Sequence, residues 1–340
     1  MEYITKFENY IEYERAKPNL ILPNVSLCTQ EDEVYYNPWS FAEVYLTFLA
    51  KENGTFTFTP QNSNVISYST DDGETWTEGN TVSVNNGDKI MWKGTMTPST
   101  SGIGTFSSTA SFDVQGNVMS LLYGDNYKEQ TDLTGKNRAF QSLFKNNTKV
   151  VNARSLSLPA TTLANNCYYT MFQDCTSLTT APELPATTLG SYCYNYMFQG
   201  CTSLTTPPML PATALTNSCY YSMFRDCTNL TKAPKLPATQ LTTYCYSTMF
   251  KNCTSLTTAP ELPATQLTIS CYYSMFQGCT NLSYIKAMFT TKPSTNFYYT
   301  TNWVDGVSSS GTFVKNSAAT WTTTGKDGIP NGWTVETASE

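Results

Sequence analysis

Two hydrophobic rhythms divide the chain. From Phe41 to Tyr123 apolar and polar residues alternate with a period of two, through YLTFLA, GTFTFT, NVISYST, TVSVNNGDKIMW, GTFSSTASFDV and NVMSLLY. Gly, Asn and Asp punctuate these runs. Such alternation between turn residues predicts an antiparallel β-sandwich of six to eight strands. From Leu158 the rhythm changes. LPATTLANNCYYTMFQDCTSLTTAPE, a 26-residue unit, recurs five times without a gap to Ala287. A strict period of this length predicts a solenoid whose units bury their apolar sides only against their neighbours.

Aligning the five copies separates fixed from free positions. Fixed are the Leu-Pro-Ala-Thr start, a second Leu, the Cys-Tyr pair, Met-Phe, Cys-Thr and a later Leu. At about 100° per residue, Cys167, Tyr168, Met171, Phe172 and Cys175 fall within about 140° of arc, while Tyr169, Thr170, Gln173 and Asp174 point away. The spacing predicts a short helix of two to three turns in each repeat. LTTAPELP supplies the strand side, with Leu178, Ala181 and Leu184 inward and Thr180 and Glu183 outward. Pro182 and Pro185 cannot donate to a ladder, so this strand is predicted to be very short.

The fixed positions resemble the BspA-like, or Treponema-type, leucine-rich repeats of the kind found in gut Bacteroidetes and their phages. Met-Phe stands for that family's Ala-Phe, and Cys175 with Leu178 matches its C-x-x-L. The resemblance covers Leu158 to Ala287. Departures are a longer unit, an extra upstream Cys, and Ala-Pro-Glu-Leu-Pro in place of a continuous apolar strand. The resemblance implies recognition of proteins or host surfaces and brings no catalytic residues. Leu133 to Ser157 reads as a degenerate first rung, with Leu143-Phe144 for Met-Phe and Asn147-Thr148 for Cys-Thr. Met288 to Glu340 breaks the period and reads as a cap, with a short helix around Asn302–Val307 and strand-like GTFV and GWTVET.

The expected fold is therefore multidomain α+β. An antiparallel β-sandwich (41–123) follows an extended anchoring segment (1–40). A degenerate capping repeat (124–157), a leucine-rich-repeat-like β/α solenoid (158–287) and a C-terminal cap (288–340) complete it.

Composition narrows the chemistry. Charged residues make up 14% of the chain, against about 25% in ordinary globular proteins, so solubility rests on neutral polar groups. That suits an extracellular or particle-surface protein. A net charge of −6 without a basic block argues against nucleic acid. No run of 18 apolar residues predicts a membrane span. The chain holds no histidine, which removes His acid–base chemistry, the usual triads and His metal ligation. MEYITKFENYIEYERAKPNL lacks the features of a signal peptide. Either a signal was removed, or the protein reaches a surface without secretion, as a virion component released by lysis would.

Of eleven cysteines, ten stand in register as 167/175, 193/201, 219/227, 245/253 and 271/279. Zinc prefers closer ligand pairs and usually His. A bridge within one rung would join residues about 12 Å apart along a helix, beyond the roughly 7 Å limit for Cα atoms. Geometry leaves rung-to-rung bridges such as Cys175 to Cys193 open, and the alternative is two ladders of small buried thiols. The expectation is the ladders. Cys28 stands outside them. One further motif, Ser69 to Trp76, matches the Asp-box S-x-D-x-G-x-T-W. Sialidase-like propellers carry several such boxes at regular spacing, so a single copy is expected to be a structural turn.

Three functions compete. The first is a phage-particle surface component, in a head or tail fibre or decoration, bound to other virion proteins through the N-terminal segment or β-sandwich and recognising a host cell-surface protein or glycan. The second is a bacterial cell-surface adhesin of the BspA type, without its signal. The third, a glycan-active enzyme, needs two carboxylates about 5–10 Å apart. The repeats offer only isolated acids such as Asp174, Glu183, Asp226 and Glu261. A non-enzymatic recognition protein on a virion is the expectation, with no cofactor, no metal, no nucleic acid, no membrane insertion, and a homo-oligomer left open. The expected ligand surface is the outward strand side: Thr180, Glu183, Thr206, Met209, Lys232, Lys235, Thr258, Glu261 and Tyr284.

Overall fold

A computed structural model of the chain describes residues 29–30, 33–34, 41–293 and 296–338. It divides into two compact units, Met1–Asn37 and Pro38–Glu340. In the first, β1 (Thr29–Gln30) pairs antiparallel with β2 (Glu33–Val34). The rest of the expected anchoring segment, Cys28 included, lies outside the described residues.

The second unit opens with two sheets. β3 (Leu46–Ala50), β5 (Ile66–Ser69), β6 (Thr77–Glu78), β8 (Lys89–Gly94) and β10 (Phe112–Asn117) form one, in the order β10-β3-β8-β5-β6. β4 (Gly54–Pro60), β7 (Thr81–Val84) and β9 (Gly104–Ser108) form the other, in the order β7-β4-β9. Alternation does its expected work here: Phe56 and Phe58 of β4 are buried while Thr55 and Thr57 between and beside them are not. The sheets meet through aromatic rings. Phe48 of β3 touches Phe56 at 5.4 Å and Phe106 of β9 at 4.7 Å, both edge-to-face, a geometry that ring quadrupoles favour.

The larger sheet gains a strand from the degenerate first rung. β11 (Val150–Ser157) pairs parallel with β10. Phe144 of that rung stacks on Phe106 at 5.7 Å. One hydrophobic core therefore runs without a break from Leu46 to Trp333.

The repeats correct the helix expectation. Among the described residues the α-helix is α1 (Ser120–Tyr123), with a 3-10 turn at Gly124–Asn126. Cys167 to Cys175 is instead a flat ribbon of successive turns. Every fourth residue has a positive φ, as at Asn166 (57°), Thr170 (53°) and Asp174 (58°), which no right-handed helix contains. The backbone N–H groups alternate in destination. Those of Tyr169, Met171, Gln173 and Cys175 donate three residues back within the rung. Those of Asn166, Tyr168, Thr170, Phe172 and Asp174 donate to carbonyls of Ser191, Cys193, Asn195, Met197 and Gln199 in the next rung. Half of each ribbon's donors thus bond within it and half bind it to its neighbour, which accounts for the chain's buried polar backbone without a helix.

The same pattern recurs from Arg138–Asn146 to Tyr298–Gly306. The helix expected around Asn302–Val307 is therefore a further ribbon turn, completing the stack. Side chains follow the period of four, two inward and two outward. Tyr168, Tyr194, Tyr220, Tyr246 and Tyr272 stack at 5.7–6.2 Å, each ring within 10° of parallel to the next. Phe172, Phe198, Phe224, Phe250 and Phe276 stack at 5.7–5.8 Å beside them.

On the strand side the ladder is as short as the prolines require. It consists mostly of isolated parallel bridges, such as Asn152 to Thr180 and Thr180 to Thr206. Leu178, Ala181 and Leu184 are buried, as their spacing predicts. The cap extends this side into a parallel sheet: β12 (Tyr284–Ala287) of the fifth repeat is followed by β13 (Thr312–Lys315) and β14 (Thr334–Thr337), from the GTFV and GWTVET segments. Trp303 and Trp321 close the core there, with indole N–H groups donating to Gly328 (2.8 Å) and Phe289 (3.2 Å) carbonyls.

Candidate functional site

Each ribbon presents two outward pairs, and the first pair carries aromatic residues. Positions 169/170, 195/196, 221/222, 247/248 and 273/274 hold Tyr-Thr, Asn-Tyr, Tyr-Ser, Ser-Thr and Tyr-Ser. The tyrosine changes place between adjacent rungs, so each ring faces a small polar side chain above or below and fills the space it leaves. Tyr169 meets Tyr196 at 6.1 Å, Tyr196 meets Tyr221 at 5.3 Å, and Tyr221 meets Tyr244 at 6.4 Å, all edge-to-face. Tyr273 meets Tyr298 at 6.5 Å in the same way.

These rings are only partly covered. Tyr192, Tyr244 and Tyr298 are 43%, 41% and 54% exposed, with Ile269 and Phe297 beside them. Tyr192, Tyr244 and Tyr298 occupy one position of the ribbon, each at positive φ, with Ser218 and Ser270 at that position in the rungs between. Burial, and then the Tyr221 hydroxyl beside it, push the Tyr196 phenol up to about 12. It is a neutral hydrogen-bonding group at any physiological pH.

Below the aromatic stripe runs an amide and carboxylate ladder. Gln173 donates to Gln199 at 2.9 Å, and Asn252 donates to Asp226 at 2.7 Å. Where the ladder needs room it uses glycine. A Cβ on Gly200, at φ 72°, would lie 2.2 Å from Asp174 Oδ1. Arg225 pairs with Asp226 at 3.2 Å, and Lys145, Lys251, Asp174 and Asp305 complete a ladder with three charges of each sign.

Six residues of the first pair, expected to be solvated, are buried: Thr170, Asn195, Ser222, Ser247, Thr248 and Ser274. Thr170 is 2% exposed and Ser222 not exposed at all. Hydroxyl contacts hold them: Ser142 with Thr170 at 2.8 Å, and Ser222 with Thr248. A flat ribbon, unlike a helix, lets adjacent rungs cover a small outward side chain.

The expected ligand residues lie on the opposite, strand side. Glu183, Thr206, Met209, Lys232, Lys235, Thr258 and Glu261 are exposed, and Thr180 and Tyr284 are half-buried. Thr180, Thr206, Thr258 and Tyr284 are joined to other rungs through backbone bridges. Glu261 is engaged by Lys286 at 2.9 Å. Among the described residues the arrangement brings together no acid pair and no cation cluster there. Met209 is 72% exposed.

The Asp-box is a turn. Asp71 accepts from Ser69 Oγ at 2.6 Å and from the Thr75 backbone at 3.0 Å, and these bonds lower its carboxyl to about 2. All ten ladder cysteines are free and buried. Among the described residues no group of His, Cys, Asp or Glu is placed to hold a metal ion.

No protein-family model, curated protein or solved structure matches this chain. The functional reading rests on the chemistry of these surfaces.

Proposed function

We propose that the chain is a non-enzymatic recognition protein displayed on a surface, most closely a phage virion's. In this reading the stacked rungs form a leucine-rich-repeat solenoid of the BspA-like type, with the β-rich region and N-terminal segment attaching it to other virion proteins. The observation that carries the reading is the contrast between frame and face. The core positions repeat Cys-Tyr and Met-Phe rung after rung, while the outward pairs beside them change residue by residue on a fixed backbone. A rigid periodic scaffold with changing outward side chains is how stacked repeats present a specific surface. No helix among the described residues is long and apolar enough to cross a membrane.

Gold-labelled antibody raised against the protein locates it by electron microscopy on intact phage particles and on cells. Label on particle heads or tails is expected. Label confined to the bacterial surface would move the protein to the adhesin reading, and label confined to the cell interior would sink both.

A further inference from the structure

We propose that the tyrosine stripe on the ribbon face is the binding surface, and that it takes a neutral linear polysaccharide lying along the stack. This rests on reading the chain as a recognition protein and gives that reading a site and a ligand class. Three features of the face select the ligand.

The first is shape. Tyr169, Tyr196, Tyr221 and Tyr244 form a row one side chain wide, with centroid separations of 5.3–6.4 Å. Protein partners favour a broad apolar patch with a fully desolvated centre. A single file of half-exposed rings offers no such centre. It suits a chain of rings whose apolar C–H faces are each about as large as one phenol.

The second is polarity. Phenol hydroxyls lie in the stripe, and the Gln173–Gln199 and Asn252–Asp226 amide pairs run beside it. These groups donate and accept side by side, as a row of sugar hydroxyls requires. The third is charge. Lys145, Arg225 and Lys251 of the ladder are offset by Asp174, Asp226 and Asp305, so the ladder carries no excess of cations for a sulfated or carboxylated polymer, nor for nucleic acid, which needs clustered cations. From Tyr169 to Tyr244 each rung contributes one ring, at 5.3–6.4 Å from the last, so a polymer lying along the stack meets a ring at each step.

The repeats supply the variant that tests this. Ser218 and Ser270 stand where Tyr192 and Tyr244 do, so Tyr192→Ser with Tyr244→Ser uses a residue this frame already accepts. The whole chain is run in native affinity gels containing mannan, xylan, dextran or a soluble β-glucan, with heparin as the charged comparison. Retardation by at least one neutral polymer, undiminished in moderate salt, is expected. The double variant should bind about tenfold more weakly, equal to about 1.4 kcal/mol, with an unchanged melting temperature. A strand-side variant, Lys235→Ala with Tyr284→Ala, should bind as the parent does.

Retardation by none of the neutral polymers overturns the proposal, as does preferential retardation by heparin. A loss seen with the strand-side variant rather than the tyrosine variant overturns the site. Binding to a host surface protein in place of any glycan would assign the stripe to the other macromolecular class and overturn the ligand. None of these outcomes touches the particle-labelling result, on which the broader reading stands or falls.

Discussion

The thiol of Cys227 donates to the backbone carbonyl of Phe198, in the rung before it, at 3.0 Å. Cys175, Cys201, Cys253 and Cys279 do the same for Phe144, Phe172, Phe224 and Phe250 at 3.0–3.1 Å. Each of these carbonyls also accepts a backbone N–H, as that of Phe198 does from Cys201 at 3.1 Å, so the thiol supplies a second bond to the same oxygen. The repeated cysteine is therefore a small, apolar side chain that also carries a donor. Cys227→Ala should cost about 0.5–1.5 kcal/mol, the net value of one such bond, read as a lowered urea midpoint with an unchanged slope. An unaltered midpoint would show the thiol to be mere filling.

The same burial makes the fold sensitive to alkali. Burial raises the thiols of Cys167, Cys219, Cys245, Cys271 and Cys279 from 9.0 to about 12. The neutral thiol is the native form, so the folded state holds its proton over a range where the unfolded chain has lost it. Stability is thus complete below pH 9 and declines as pH rises towards 12, by up to about 1.4 kcal/mol per pH unit for each thiol. Circular dichroism melts across that range should show a steep, cooperative loss. Titration with a thiol reagent in denaturant, without reductant, should count at least ten groups, while the native protein at neutral pH should react at none of the ladder sites.

Large side chains of the frame should dominate stability. Phe224 is fully buried between Phe198 and Phe250. Phe224→Ala should cost about 3–5 kcal/mol, and Lys232→Ala, on the exposed strand side, less than about 0.5. Equal costs in denaturant titrations would contradict the assignment of inward and outward positions.

The ribbon makes a prediction opposite in sign to a helix. Asp226 has a φ of 62°. In a helix, glycine there would cost about 1 kcal/mol relative to alanine, and valine less. In the ribbon glycine meets no backbone penalty, whereas a β-branched residue held in the left-handed region costs about 1–2 kcal/mol. Both Asp226→Gly and Asp226→Val lose the contacts with Asn252 and Arg225, so Asp226→Gly should lower the melting temperature less than Asp226→Val does. The reverse order would restore the helix.

That contrast explains what the sequence could and could not convey. Fixed residues at 167, 168, 171, 172 and 175 fit a helical stripe and a period of four equally well, because the two diverge by less than one residue over so short a run. Stacking and the short strand followed directly from the 26-residue period and the prolines. The ribbon did leave a trace. Asp174, Gly200, Asp226, Asn252 and Gly278, and Asn146 and Gly306 at the ends, are all residues that tolerate positive φ, and all adopt it. Variation confined to Asp, Asn and Gly marks a backbone conformation rather than a free surface. Tyrosine offered a similar clue to the candidate site. A solvated position drifts towards Ser, Asn or Lys, yet Tyr169, Tyr196, Tyr221 and Tyr273 recur beside it. Their edge-to-face stagger depends on which rung faces which, and no single repeat contains that information.

The first rung shows how the stack begins, and it yields the last prediction. Asn147 stands where later rungs have the donating cysteine. Its amide donates to the Phe106 carbonyl of β9 at 3.1 Å, so the rung makes with the β-sheet region the contact that Cys175 makes with Phe144. With β11 added to the sheet of β10 and Phe144 stacked on Phe106, the two regions share one core. They should unfold together. Calorimetry of the whole chain should give one transition, and Asn147→Ala should lower it as a unit by about 1–3 kcal/mol, the cost of orphaning a buried carbonyl. Two separated transitions, with only one displaced by Asn147→Ala, would show instead that the repeats and the sheets fold as independent domains.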